Sequence, residues 1–255
     1  MIGWRRMVHA VWMLVIAVAP RFAGAVGFDE ANRLYENGEF SASALQYREL
    51  IRSGQESAAV WFNLGNALLK DGEAGRGIYS YRRAIRLSPR DPDARANLMF
   101  ARKEVAGAFA PETSSWSRFF RYLSPTEWIW FAAIVLCLCF SMMALREINR
   151  SKFAGFLWPI RLGWGCALLV GVLSMIAHSQ WDDSGDGVIV VDKVVARYGP
   201  LDDSKQFFQL KNGEEVKITG RKNQWVQVVN TSGQSGWVRA DQLLSIADDL
   251  PALKS

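Results

Sequence analysis

Trp128 to Leu145 (WIWFAAIVLCLCFSMMAL) is a run of 18 residues without a charge, and it limits the possible folds more sharply than any other stretch. As a helix it is about 27 Å long, close to the ~30 Å hydrocarbon thickness of a bilayer. A second run, Leu162 to Ala177 (LGWGCALLVGVLSMIA), gives about 24 Å, and Trp158, Pro159 and Ile160 lengthen it if Arg161 snorkels to the interface. Both are expected to cross a membrane, the first over 124–145 and the second over 162–178. The alternative, a buried hairpin in a large soluble core, would need a polar face that neither run carries. Ser124 as N-cap, Pro125 at the first helical position and Glu127 closing a capping box mark the start of the first helix. Trp128, Trp130, Trp158 and Trp164 fall where interfacial aromatic belts form.

The segment between the runs, 146–161, holds Arg146, Arg150, Lys152 and Arg161 against Glu147 alone. Basic residues in short loops stay cytoplasmic, so the hairpin is expected to enter from outside and return there. The net charge of +5 is largely explained by this topology. The inter-span segment carries +3, residues 1–25 carry +3, residues 26–123 carry +2, Glu127 carries −1 and residues 179–255 carry −2. No phosphate-binding face follows, and no nucleic-acid partner is expected. All three cysteines, Cys137, Cys139 and Cys166, lie in the spans, so the flanking parts must be held by packing alone. Residues 1–25 have the layout of a signal peptide: Arg5 and Arg6, an apolar core from Val8 to Ala19, then Ala23-Gly24-Ala25. An uncleaved anchor would leave the following domain on the same side.

From Phe28 to about Lys103 the pattern is helical and repeats. Ala31, Gly38, Phe40, Tyr47 and Leu50 align with Gly65, Gly72, Ala74, Tyr81 and Ala84 at a constant offset of 34. In the second copy, Trp61, Leu64, Gly65, Leu68, Tyr81, Ala84 and Pro89 match the W-x2-L-G-x2-Y…A-x3-F…P pattern, with Gly77 in place of the usual alanine. This resembles the tetratricopeptide (TPR) repeat. Residues 26–105 are therefore expected to form two repeats and a capping helix, the latter from Asp91 to Val105. Gly65 should let the paired helices approach closely. The resemblance implies a concave groove lined by the first helix of each repeat. It places Asn32, Tyr35, Phe62, Asn63, Asn66, Leu69, Lys70 and Asn97 on the partner-binding face, where asparagine amides can pair with a peptide backbone. The alternative is that these amides bond locally to neighbouring helices. Residues 106–123 read as a linker, in which Trp116, Phe119, Phe120 and Tyr122 mixed with Arg118 and Arg121 suggest an amphipathic approach to a membrane surface.

Residues 179–187 form a second, acidic linker. Asp182, Ser184 and Asp186 imitate the start of a calcium loop, but Lys193 stands where a bidentate glutamate is needed, so a solvated linker is expected. Over 188–245, five short β-branched or aromatic runs (188–191, 194–197, 215–219, 225–229 and 236–239) are separated by Gly199-Pro200, Asn212-Gly213, Lys222-Asn223 and Ser232-Gly233. They predict a small barrel. The elements R-x-G-P, G-x-x-V, W-x-x-V and G-x-x-G-W-V resemble the bacterial SH3-like domain. Trp225 is expected in its core, while Tyr198 and Trp237 mark a candidate cleft.

The fold class expected is thus multidomain α plus β: TPR helices, a two-helix transmembrane hairpin and a C-terminal SH3-like β-barrel. No catalytic motif, cofactor or metal site is found. Of the two histidines, His9 belongs to the leader and His178 to the membrane boundary. The full arrangement, with residues 61–102 as its most specific stretch, resembles the BatE-like branch of the Bat aerotolerance family. That resemblance implies a non-enzymatic scaffold in the bacterial inner membrane, with both soluble domains on the periplasmic side. It also implies partners among von Willebrand A-domain (VWA) membrane proteins and, indirectly, a MoxR-type ATPase, in envelope assembly or stress tolerance. A peptidoglycan-binding module is the alternative.

Overall fold

The computed structural model describes residues 23–106, 115–148, 157–181 and 185–246. The expected leader lies outside the described residues except for Ala23-Gly24-Ala25, which open the first helix. Five helices follow one another: α1 (Ala23–Glu36), α2 (Phe40–Arg52), α3 (Ala58–Lys70), α4 (Ala74–Leu87) and α5 (Pro92–Ala106). Their ends follow from local chemistry. Ser57 caps α3 by accepting from Val60 N, and Asp91 Oδ1 accepts from Asp93 N and Ala94 N to open α5. The interlocking faces are those of a tetratricopeptide array, with Trp61, Leu64, Ala67, Leu68, Tyr47 and Tyr81 buried together. At Gly65 a Cβ would stand 2.7 Å from the Tyr81 ring, so only glycine allows α3 and α4 to pack this closely.

The segment expected to be wholly linker contains a short helix, α6 (Ser115–Phe120), whose inward Phe120 is fully buried. The two long apolar helices are α7 (Pro125–Ile148) and α8 (Leu157–Gln180). Pro125–Ile148 and Arg161–Gln180 are each long and apolar enough to cross a membrane. Both helices extend past the apolar runs, so Arg146 and Arg161 sit inside helices; Arg150 and Lys152 lie outside the described residues. The capping box is formed as the sequence indicates: Ser124 N donates to Glu127 Oε2 at 2.8 Å and Glu127 N to Ser124 Oγ at 3.2 Å. Phe120, Trp128 and Ala177 form a small core where the hairpin meets α6. Trp128 Nε1 donates to Phe120 O, Trp181 Nε1 to Leu123 O, and Arg121 Nε to Gln180 O at 2.7 Å.

The C-terminal domain has seven strands where five were expected: β1 (Asp186–Ile189), β2 (Val194–Arg197), β3 (Gln206–Leu210), β4 (Glu215–Lys222), β5 (Trp225–Val229), β6 (Ser235–Arg239) and β7 (Leu243–Ser245). They form one antiparallel sheet in the order β3-β2-β6-β5-β4-β1-β7. Ladder irregularities at Ala196/Arg197 and Ile218/Gly220 bend it. Ile189, Val194, Ala196, Leu210, Val216, Val226, Val228, Val238 and Leu243, drawn from all seven strands, share one core. The sheet is therefore rolled on itself, as an SH3-like domain requires.

Candidate functional site

The asparagines expected on the groove are organised by the repeat itself. Asn32 Oδ1 accepts from the hydroxyl of Tyr47 and from Asn63 Nδ2 at 3.1 Å. Asn66 Oδ1 accepts from the hydroxyl of Tyr81 at 2.8 Å and from Asn97 Nδ2 at 2.8 Å. The two triads are copies at an offset of 34, and each ties the first helix of one unit to the second helix of that unit and to the first helix of the next. Burial raises the Tyr47 phenol and pushes that of Tyr81 up to about 12, so both hydroxyls remain donors. Asn32, Asn63, Asn66 and Asn97 thus form a ladder that spaces α1, α3 and α5, and the carboxamide oxygens of Asn32 and Asn66 are occupied within it.

The ladder carries an apolar surface. Phe62 is half-buried and its ring leans on Tyr81; Tyr35 packs edge-on against Phe40 at 5.3 Å; Leu69 is half-buried and Lys70 exposed. Phe100, the counterpart of Asn66 at the same offset, is 57% exposed on α5 beside Met99. Sequence reading missed Phe100, although carrying the repeat spacing one unit further would have found it.

The second constellation, also missed, joins the array to the barrel. Arg82 on α4 donates through Nη2 to Asp186 Oδ2 at 2.6 Å and through Nη1 to Glu215 Oε1 at 3.0 Å. Arg102 on α5 grips Glu215 with Nε at 2.6 Å and Nη2 at 2.8 Å, the bidentate geometry that arginine and carboxylate favour. Lys217 Nζ lies 3.1 Å from Asp186 Oδ1. Burial works against ionisation of both acids, but Arg102 and Arg82 hold Glu215 below its ordinary range, and Arg82 and Lys217 do the same for Asp186. Beside these charges, Gly75 N donates to Asn212 Oδ1 at 2.8 Å, and a Cβ on Gly75 would run into the carbonyl oxygen of Ile189. Val188, Val190, Leu244 and Ile246 turn away from the barrel and enter the core of the array, while Ile189 and Leu243 point into the barrel. Alternation along β1 and β7 thus serves two cores at once.

On the barrel, Trp225 is buried under the Arg239 guanidinium at 5.9 Å. Trp237 is half-buried and sits opposite Arg197 in the β2–β6 pair. Tyr198 is exposed and stacks on Phe207 with centroids 4.3 Å apart. The aromatic surface is wider than the Tyr198 and Trp237 expected, since Phe207 belongs to β3, a strand the sequence reading did not assign. Among the described residues, no group of histidine, cysteine or carboxylate side chains could hold a metal.

The geometry agrees with comparisons to known families. Residues 28–92 match the model of the tetratricopeptide repeat, and residues 194–243 match that of the bacterial SH3 domain. No curated protein matches the chain. The chain therefore combines a tetratricopeptide array, two apolar helices able to cross a membrane and a bacterial SH3 domain, a set of modules suited to a protein-binding or envelope-binding scaffold.

Proposed function

We propose that this protein is a non-enzymatic scaffold of the bacterial inner membrane whose array and barrel face the periplasm as one body. The observation that carries the reading is the dock itself. Residues 82 and 102 touch residues 186 and 215 across the hairpin, which supports both soluble parts lying on one side of the bilayer, as an even number of spans permits. The basic residues between the spans favour the cytoplasm for the turn. A reporter fused after Ser255 that is active only outside the cytoplasm checks the orientation, and silence there with activity near Asn149 reverses it.

The partner surface is the apolar strip of Tyr35, Phe62, Leu69 and Phe100 above the asparagine ladder, edged by Lys70; it suits an extended or helical protein segment. The resemblance to BatE-like proteins supports VWA-domain membrane proteins as the partners, with a MoxR-type ATPase acting through them. A second reading, peptidoglycan binding, is favoured by the exposed Tyr198–Phe207 stack near Trp237, since aromatic faces suit sugar rings. One photo-crosslinking experiment in native membranes separates the two. A crosslinker at Phe62 should recover VWA-domain proteins, whereas one at Tyr198 should recover glycan strands if the wall is the ligand. If neither site captures its class while the chain is folded, both readings fall.

A further inference from the structure

We propose that α6 and the turn after it form an aromatic foot that lies in the headgroup region of the bilayer and sets the height of the array above it. This rests on the membrane reading of α7 and α8. Trp116, Phe119 and Tyr122 are 60%, 59% and 57% exposed, although Phe120 between them is completely buried. Trp116 and Phe119, three residues apart, share one face of α6 and stack at 6.5 Å. Three large exposed rings on so short a segment are costly in water. Amphipathic rings such as those of Trp and Tyr, with a polar tip on an apolar body, are stable at the boundary between headgroups and acyl chains.

The position of the foot argues for lipid as the occupant. Only Arg121 to Ser124 separate α6 from α7, and the underside of α6 is fixed to the hairpin by Phe120 against Trp128 at 5.9 Å and by Arg121 Nε on Gln180 O. The exposed rings therefore cannot move independently of the apolar helices; they are held where those helices leave the bilayer. Arg90, in the turn between α4 and α5, reaches the same place. Its guanidinium lies 5.1 Å from the Tyr122 ring centroid, donates from Nε to Tyr122 O at 3.3 Å and from Nη2 to Glu127 Oε1 at 2.9 Å. Whatever depth the foot takes is passed on to the array through this residue.

The test uses the full chain, with its three cysteines replaced by alanine, in phosphatidylcholine–phosphatidylglycerol vesicles. An environment-sensitive fluorophore is placed at Phe119→Cys, at Leu138→Cys in the middle of α7 and at Lys70→Cys on the array. Spin-labelled lipids quench either near the headgroup or near the acyl terminus. The foot predicts blue-shifted emission at position 119, quenched several-fold more strongly by the shallow label than by the deep one. Position 138 should show the opposite preference, and position 70 should be quenched by neither. Solvent-like emission at 119 with lipid quenching at 138 overturns the foot and leaves the spans standing. Blue-shifted emission at 119 that no lipid quenches overturns it in favour of a protein contact. If 138 is not quenched either, the membrane reading falls with it.

Discussion

The array has two stacking seams, one where its first unit meets its second and one where its second unit meets the barrel, and the chain treats them as equivalents. Ser41 Oγ, at the start of α2, donates to Asp71 in the turn of the next unit. Gly75, 34 residues later at the start of α4, donates its N–H to Asn212 in a turn of the barrel. Arg48 on α2 and Arg82 on α4 are again 34 apart. Arg48 looks onto Arg76, Glu73, Arg52 and Asp71, its Nε is buried without a hydrogen-bond partner, and burial followed by Arg76 lowers its pKa. Arg82 has two carboxylates. The barrel thus stands where the second helix of a third unit would stack, beside α5, and an edge of β-sheet satisfies a face built for a helix. What differs is the means: the inner seam closes by single hydrogen bonds, Asn63 to Asn32 and Ser41 to Asp71, and leaves Arg48 Nε unbonded, whereas the outer one closes by buried ion pairs.

That contrast can be broken most forcefully at Glu215. Glu215→Lys sets a third cation against Arg82 and Arg102 in a site where each member is largely buried, and losing such a partner typically costs about 3–5 kcal/mol. Hydrogen exchange on the full chain should show α4 and β1 losing protection together while α2 and α3 keep theirs; unchanged exchange at α4 would mean that the charges do not hold the dock. A smaller effect is expected from Gly75→Ala. Its gain in helix propensity of up to about 1 kcal/mol is outweighed where the new methyl meets the Ile189 carbonyl, at a cost of about 1–3 kcal/mol. Exchange should rise at the Asn212-Gly213 turn and in β1, and a more stable chain would refute the close approach. The mildest probe is pH. Asp186 and Glu215 are held below their ordinary values of 3.8 and 4.5, so the stability they add is complete above those values and is lost as pH falls through the lowered ones. Between about pH 7 and 5 neither seam should change. Further acidification should open the outer seam before the inner, as read by the same exchange experiment; simultaneous opening would erase the distinction.

Much of this architecture was legible because it obeys short periods. The offset of 34, the uncharged runs and the turn signals at Asn212-Gly213 and Ser232-Gly233 each act locally. The asparagines were legible as important, but their chemistry was not: the hydroxyl that each triad uses lies 15 residues on, in the other helix of the unit, and only the packed pair brings them together. Strand β3 (QFFQL) lacks clean alternation because its Phe207 is exposed at the ladder irregularity beside Arg197. The dock was hidden for a related reason. Val188 to Val191 is apolar without a break, the mark of a strand buried on both faces, yet nothing local says that the second face belongs to a helix a hundred residues earlier. Arg82 and Arg102 look like ordinary solvated cations until Glu215 is folded against them.

The dock also makes one part of the chain wait for another during synthesis. The outer face of α4 is finished before either apolar helix has been made, but Val188, Val190, Leu244 and Ile246, which cover it, come last. In a chain whose two helices cross the bilayer, the cover reaches the array only if both have crossed; a chain that inserted just one would leave the barrel in the opposite compartment and an apolar helix face bare. In such a chain, completion of the array would report on membrane insertion, and a mis-inserted molecule would be marked by the surface it fails to bury.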